Sequence, residues 1–180
     1  MALTEQLLES RARRAYEWGR LRWSLKLAPF VLLAGGAAWA CGRPFDLVCA
    51  LTAALLPLAV GLSFAGGSAG SAVIPGLLGG TVALGMPLLV GSTFGHFCFG
   101  AACMSYCLPA CVLGGAIAGA VIGSAARRRE REAPFFVAAL AIASLMGALG
   151  CTLSGLMGVG GMVAGALAAG TPLVLFPRRS

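Results

Sequence analysis

Charge is what this sequence has least of. Asp, Glu, Lys and Arg make up only 11% of its 180 residues, against roughly 25% in a soluble globular domain. It has a single lysine, Lys26, and a single histidine, His96. From Leu47 to Ala126 no Asp, Glu, Lys or Arg occurs, and the stretches 133–151 and 155–177 are equally bare. Ion-coupled carriers keep ionisable side chains facing the bundle interior, so the bare stretches argue against a proton- or sodium-driven transporter. Gly66-Gly67-Ser68-Ala69-Gly70 matches the G-x-S-x-G pattern of serine hydrolases. That pattern works on a strand-to-helix elbow beside a His base, whereas Ser68 and His96 are expected at opposite ends of a bundle. No phosphate loop, metalloprotease helix or haem-attachment motif is present. The chain is expected to be neither an enzyme nor a cofactor protein.

What is abundant is apolar sequence, at 59% hydrophobic residues, and glycine, at 27 residues. Too little polar surface remains to cover a soluble core of that size, and lipid is the natural solvent. Glycine at this frequency suits tightly packed membrane helices. The expected fold class is all-α, a polytopic membrane helical bundle of about six transmembrane helices. A spanning helix takes about 20 apolar residues, and six segments qualify, near 25–41, 45–64, 72–90, 105–126, 133–150 and 156–176. Pro29 lies near the start of the first, and Pro75 and Pro87 lie inside the third. The glycine-serine run 66–71 reads as a flexible turn. The division is an arm over 1–24, a membrane domain over 25–176 and a tail over 177–180. Gly115, Gly119 and Gly123 repeat every four residues, as do Gly161 and Gly165. Such seams let two helix backbones approach closely, and packing within one chain is favoured over homodimerisation. The oligomeric state is left open.

Arginine asymmetry sets the expected orientation. Residues 1–26 carry Arg11, Arg13, Arg14, Arg20, Arg22 and Lys26; the 127–132 loop carries four Arg; the tail carries Arg178 and Arg179. These fall on one side of an even-numbered bundle, and the other side holds only Arg43. Both termini are therefore expected in the cytoplasm and the 91–104 loop outside. Ala38-Trp39-Ala40 before Cys41 resembles a cleavage site, but the long, partly acidic leader argues against a signal peptide. The excess of Arg over Lys fits a GC-rich bacterial genome, so the bacterial inner membrane is the expected location.

Residues 1–26 read as an amphipathic helix, with Leu8, Ala12, Ala15, Trp18, Leu21 and Leu25 at three- and four-residue steps. One use is to lie on anionic lipid with Trp18 and Trp23 at the interface. Another is to dock a cytoplasmic protein, and the two are compatible. The candidate partner-binding residues are Leu8, Arg11, Arg14 and Trp18, with Arg127, Arg128 and Arg129 of the loop. Lipid headgroups account for the basic groups but not for Glu5, Glu9, Glu17, Glu130 and Glu132, which they repel. No direct nucleic-acid contact is expected.

Seven cysteines occur, and under this topology all fall in or near the outer half: Cys41, Cys49, Cys98, Cys103, Cys107, Cys111 and Cys151. The bland alternative, cysteine as a small apolar packing residue, explains one or two but not the one-sidedness. Disulfides persist in the oxidising compartment outside a bacterial cytoplasm. If helix runs through the region, Cys103, Cys107 and Cys111 share one face at i, i+4 and i+8. Their Cβ atoms would be about 5–6 Å apart, too far for a disulfide, which takes roughly 3.5–4.5 Å. These three must then pair with other elements, such as Cys41, Cys49, Cys98 or Cys151, or stay as thiols. At least one bridge between different helices is expected, foremost Cys98, Cys103 or Cys107 to Cys41, Cys49 or Cys151. A thiol stripe with His96 would also suit a soft metal ion. Structural disulfides, redox or metal sensing, and inert thiols remain open at this level.

With these features the chain resembles the NrsF-type family, six-helix membrane anti-sigma factors. The resemblance rests on the basic arm, the even topology, Phe97-Cys98-Phe99-Gly100 upstream of Pro109, and Gly150-Cys151-Thr152 after the fifth span. The sequence departs from the family in having no His after His96 and in the extra Cys103, Cys107 and Cys111. The resemblance implies that the cytoplasmic face sequesters a sigma factor and that an oxidant or metal outside releases it. The rivals are a small thiol-dependent heavy-metal permease and a structural membrane subunit stapled by disulfides.

Overall fold

Proline sets where several helices begin. A proline in the first turn loses nothing, because the first N–H groups of a helix have no intrahelical acceptor. Ala28-Pro29, Val73-Ile74-Pro75, Cys107-Leu108-Pro109 and Glu132-Ala133-Pro134 each open a helix in the computed structural model. It describes residues 2–94, 97–99, 102–104, 107–128, 132–151 and 155–175. The elements are α1 (Ala2–Leu25), α2 (Ala28–Ala40), α3 (Phe45–Ala65), α4 (Gly67–Ser71), α5 (Val73–Phe94), β1 (Phe97–Phe99), β2 (Ala102–Met104), α6 (Cys107–Ala126), α7 (Glu132–Cys151) and α8 (Gly155–Leu175). Pro75 lies inside the Gly67–Val90 span, as expected, but in the first turn of α5 and not a helix interior, while Pro57, Pro87 and Pro172 lie within α3, α5 and α8.

Six stretches are long and apolar enough to cross a membrane, as expected: Arg14–Ala40, Phe45–Ala65, Gly67–Val90, Leu108–Ala126, Ala133–Cys151 and Met157–Leu175. The first differs in its start. Helix α2 has only 13 residues, about 20 Å at 1.5 Å per residue, short of the roughly 30 Å of bilayer hydrocarbon. The missing length comes from the end of α1, which leads into α2 through a turn at Lys26-Leu27. The run 66–71 is also more ordered than a flexible turn. Gly66 and Gly67 take positive φ of 69° and 66°, which a side chain would strain, and the chain then closes one short helix, α4.

The helices pack in two tiers. In the inner tier, α5 lies against α7 and α6, and α6 lies along α8. The stretch Ala133–Cys151 of α7 is 61% buried, while Phe45–Ala65 of α3 is only 17% buried. The outer tier is the α2–α3 pair, joined to the rest chiefly through α7. Its Val31, Ala38, Val48 and Leu55 share a core with Leu84, Met146 and Leu149.

Backbone proximity in the inner tier comes from glycine. A Cβ at Gly115 or Gly119 would run into the carbonyl oxygen of Met162 or Ala166, and one at Gly165 into that of Val112. At Gly123 it would stand 2.9 Å from the carbonyl oxygen of Gly170. The α6 and α8 glycine repeats therefore meet within one chain, as expected. A second seam joins α5 to α7, where a Cβ on Gly76 would lie 2.8 Å from the Ala139 carbonyl oxygen.

Candidate functional site

The two ends of the bundle differ in chemistry. At one end, Cys111 in the second turn of α6 is bridged to Cys151, the last residue of α7, across 40 positions of sequence with Cα atoms 6.6 Å apart. Both cysteines are essentially fully buried, and they share an apolar cluster with Ala83 of α5, Ala118 of α6 and Met162 of α8. The expectation of a bridge between different helices holds, and so does Cys151 as one partner. Its partner is Cys111, one of the helical cysteines expected to pair outside its own helix, in place of the favoured Cys98, Cys103 or Cys107. Helix α6 packs against α5 and α8, and its second turn reaches the end of α7.

The expected cysteine stripe is corrected too. Helix α6 starts at Cys107, while Cys103 lies on strand β2, paired with β1 in the register Phe97↔Met104, Cys98↔Cys103, Phe99↔Ala102. Cys103 therefore does not continue the helical face of Cys107 and Cys111. Pro109 fits this start, since a proline in the first turn costs no intrahelical hydrogen bond. Cys41 and Cys49 are exposed free thiols. Cys41 caps α2, and Cys49 lines a groove between α2 and α3 with Trp39, Phe45 and Thr52. His96 lies outside the described residues. Among the described residues no group of three or more His, Cys, Asp or Glu could hold a metal ion.

At the other end, α1 is docked on α3. The Ser24 hydroxyl is hydrogen-bonded to that of Ser63 at 3.2 Å and also donates to the Arg20 carbonyl at 3.0 Å. The Arg20 guanidinium lies 5.6 Å from the Phe64 ring centroid and 5.8 Å from that of Tyr16, in cation–π range. It also packs over Gly66, where a Cβ would collide with it. Arg14, Glu17, Trp18 and Leu21 of α1 face Pro57, Val60, Gly61 and Phe64 of α3 across a largely apolar groove of about 600 Å³.

The expected partner-binding residues divide. Arg11, Arg14 and Trp18 are exposed along α1, and Arg128 is exposed after α6. Arg127 is half-buried, and its Nε donates to the Leu173 carbonyl at 2.6 Å, tying the end of α6 to α8. The side chain of Leu8 and all of Arg129 lie outside the described residues. Arg20, Ser24 and Ser63 had not been singled out as functional. Their only signal was Ser63 in an otherwise apolar span and Ser24 where the basic arm meets the first apolar run.

Fold and composition define a multi-pass membrane protein of six candidate spans with a cysteine-rich end. No protein family, no curated protein and no solved structure matches the chain.

Proposed function

We propose that this protein is a membrane-bound negative regulator, an anti-sigma factor in the manner of the NrsF-type family it resembles, and not an enzyme. In this reading it sits in a bacterial inner membrane with both termini in the cytoplasm and the cysteine end outside. One observation carries the proposal. The Cys111–Cys151 bridge ties together the far ends of α6 and α7, the two helices that the Arg127–Glu132 loop connects at the basic end. Direct packing between α6 and α7 is slight compared with α6 on α8 or α5 on α7, so a covalent tie there has leverage. With the bridge closed the two helix ends are held together; with it broken, by a thiol reductant or in Cys111→Ser, they are free to shift relative to each other. The docked arm α1 and that loop together present the mixed charge that suits a protein surface, where complementarity sets specificity and encounter rate. A signal shifts such a two-state bundle only through differential affinity for the two states.

The test is affinity capture of the detergent-solubilised protein from its own cells, with and without residues 1–26 and with Cys111→Ser. Recovery of a sigma factor that depends on the arm and weakens in Cys111→Ser is the expected result. Absence of any such partner, with altered uptake of a thiophilic metal in cells lacking the gene, would establish the permease reading instead.

A further inference from the structure

The β1–β2 ribbon sets Cys98 opposite Cys103, and the ladder itself defines the kind of pair they form. Opposed residues in an antiparallel ribbon alternate between hydrogen-bonded and non-hydrogen-bonded pairs. Phe99 and Ala102 are opposed across only two intervening residues. They must be a hydrogen-bonded pair, because the alternative would require Gly100 and Ala101, adjacent in sequence, to bond to each other. Cys98 and Cys103 are then a non-hydrogen-bonded pair. Such pairs have Cα atoms about 4.5 Å apart, within the span of roughly 4.4–6.8 Å that a disulfide bridges. Neither cysteine can be replaced in this role by Cys107, which opens α6, or by Cys111 and Cys151, which are already joined.

We propose that Cys98 and Cys103 are a reversible dithiol–disulfide site at the cysteine end, distinct from the Cys111–Cys151 bridge, whose co-substrate is a small disulfide or dithiol. In the forward step one cysteine thiolate attacks a sulfur of a low-molecular-weight disulfide. That bond breaks, and one small thiol leaves with a proton. The second cysteine thiolate displaces the other small thiol from the mixed disulfide. Two protein thiols are oxidised to one S–S bond while one small disulfide is reduced to two thiols. The Cys111–Cys151 bridge is sealed among apolar side chains, whereas the ribbon pair lies in the connection between α5 and α6. Because the bridge is sealed in this way, it is expected to stay closed at redox poises where the ribbon pair turns over. The pair stands independently of the sigma-factor reading; only its exposure to an oxidising compartment rests on the proposed orientation.

The experiment equilibrates the purified full-length protein in detergent with glutathione buffers from fully reduced to fully oxidised, then alkylates and digests it with chymotrypsin. Cleavage after Phe99 separates the two cysteines, so a bridge appears as a linked peptide pair that reductant splits. The expected result is a linked Cys98–Cys103 pair that forms and opens across the series while Cys111–Cys151 remains linked, and that vanishes in both Cys98→Ser and Cys103→Ser. Alkylated Cys98 and Cys103 at the most oxidising poise, or Cys98 linked to Cys41, Cys49 or Cys107, would overturn the proposal. A parallel circular-dichroism spectrum of each variant confirms that it is folded. Labelling of intact spheroplasts with a membrane-impermeant maleimide, before and after reductant, tests the orientation separately.

Discussion

At the scale of single residues, the absence of a side chain is the main structural device. Gly119 faces the Ala166 carbonyl so closely that any Cβ would displace α8. In a packed interior such overfilling costs about 1–3 kcal/mol, sometimes more. Gly160 lies on the same helix as Ala166 but is exposed, with nothing within 4 Å of a Cβ. Gly119→Ala should therefore lower the unfolding temperature in detergent by several degrees. Gly160→Ala should change stability by no more than about 1 kcal/mol, the intrinsic helix preference of alanine over glycine. Thermal melts followed by circular dichroism compare the two, and equal shifts would remove the close-approach argument. The three serine and arginine contacts that seat α1 belong to this scale as well. Arg20 sets its charge over two aromatic faces and packs where Gly66 has no side chain.

At the scale of elements, the bridge decides how α6 and α7 relate. In the chain-entropy account, closing a loop of 40 residues is worth about 4 kcal/mol. Helices already inserted in a bilayer are less free than an unfolded chain in water, so the measured effect should be smaller. Cys111→Ser and Cys151→Ser should each lower stability to the same degree, and the double variant by no more than either single one. Reductant should lower the wild-type protein to the level of the variants and leave the variants unchanged. Detergent denaturation with and without dithiothreitol measures this, and a wild-type midpoint indifferent to reductant would show that the bridge constrains nothing. The outer pair α2–α3 has a different logic. Its packing is thin, and Gly35 gives way to Thr52, whose Oγ1 would lie 2.6 Å from a Cβ there. Movement between tiers should therefore be easier than movement within the inner four helices.

At the scale of the whole molecule, the prediction concerns sidedness. Arg20 on α1 and Arg127 after α6 stand at the end of the bundle where α6 closes on α8 and α1 seats on α3, opposite the bridged cysteines. By the positive-inside rule, a reporter active only in the cytoplasm should be active when fused at Ser180 and inactive when inserted near Gly95. A reporter active only outside should do the reverse. The opposite pattern at Ser180 would invert the molecule and place its thiols in a reducing compartment, where neither cysteine pair would persist.

Much of this was determined by local sequence. The number of spans follows from hydropathy, which sums over neighbours in the chain, and the six apolar stretches were legible with their ends within about five residues, except the start of the first, which lies at Arg14 and not near 25. The glycine repeats were legible as packing seams because a four-residue period places them on one helix face. Other features depended on helices far apart in sequence. Cys111 meets Cys151 only because α5 and α8 hold α6 against the end of α7, and no spacing along the chain encodes that meeting. Cys103 leaves the helical stripe because residues 97–99 and 102–104 pair as strands and α6 begins only at Cys107, with Pro109 in its first turn. Pro75 shifts from a helix interior to a helix start because Gly66 and Gly67 turn the chain earlier and α4 intervenes. Composition determined the solvent, and the order of apolar stretches along the chain determined the number of candidate spans. Which sulfurs join, which helix lies at the centre and where the arm seats were decided only by tertiary packing, because those contacts are set by the relative positions of surfaces and not by the order of residues along any one of them.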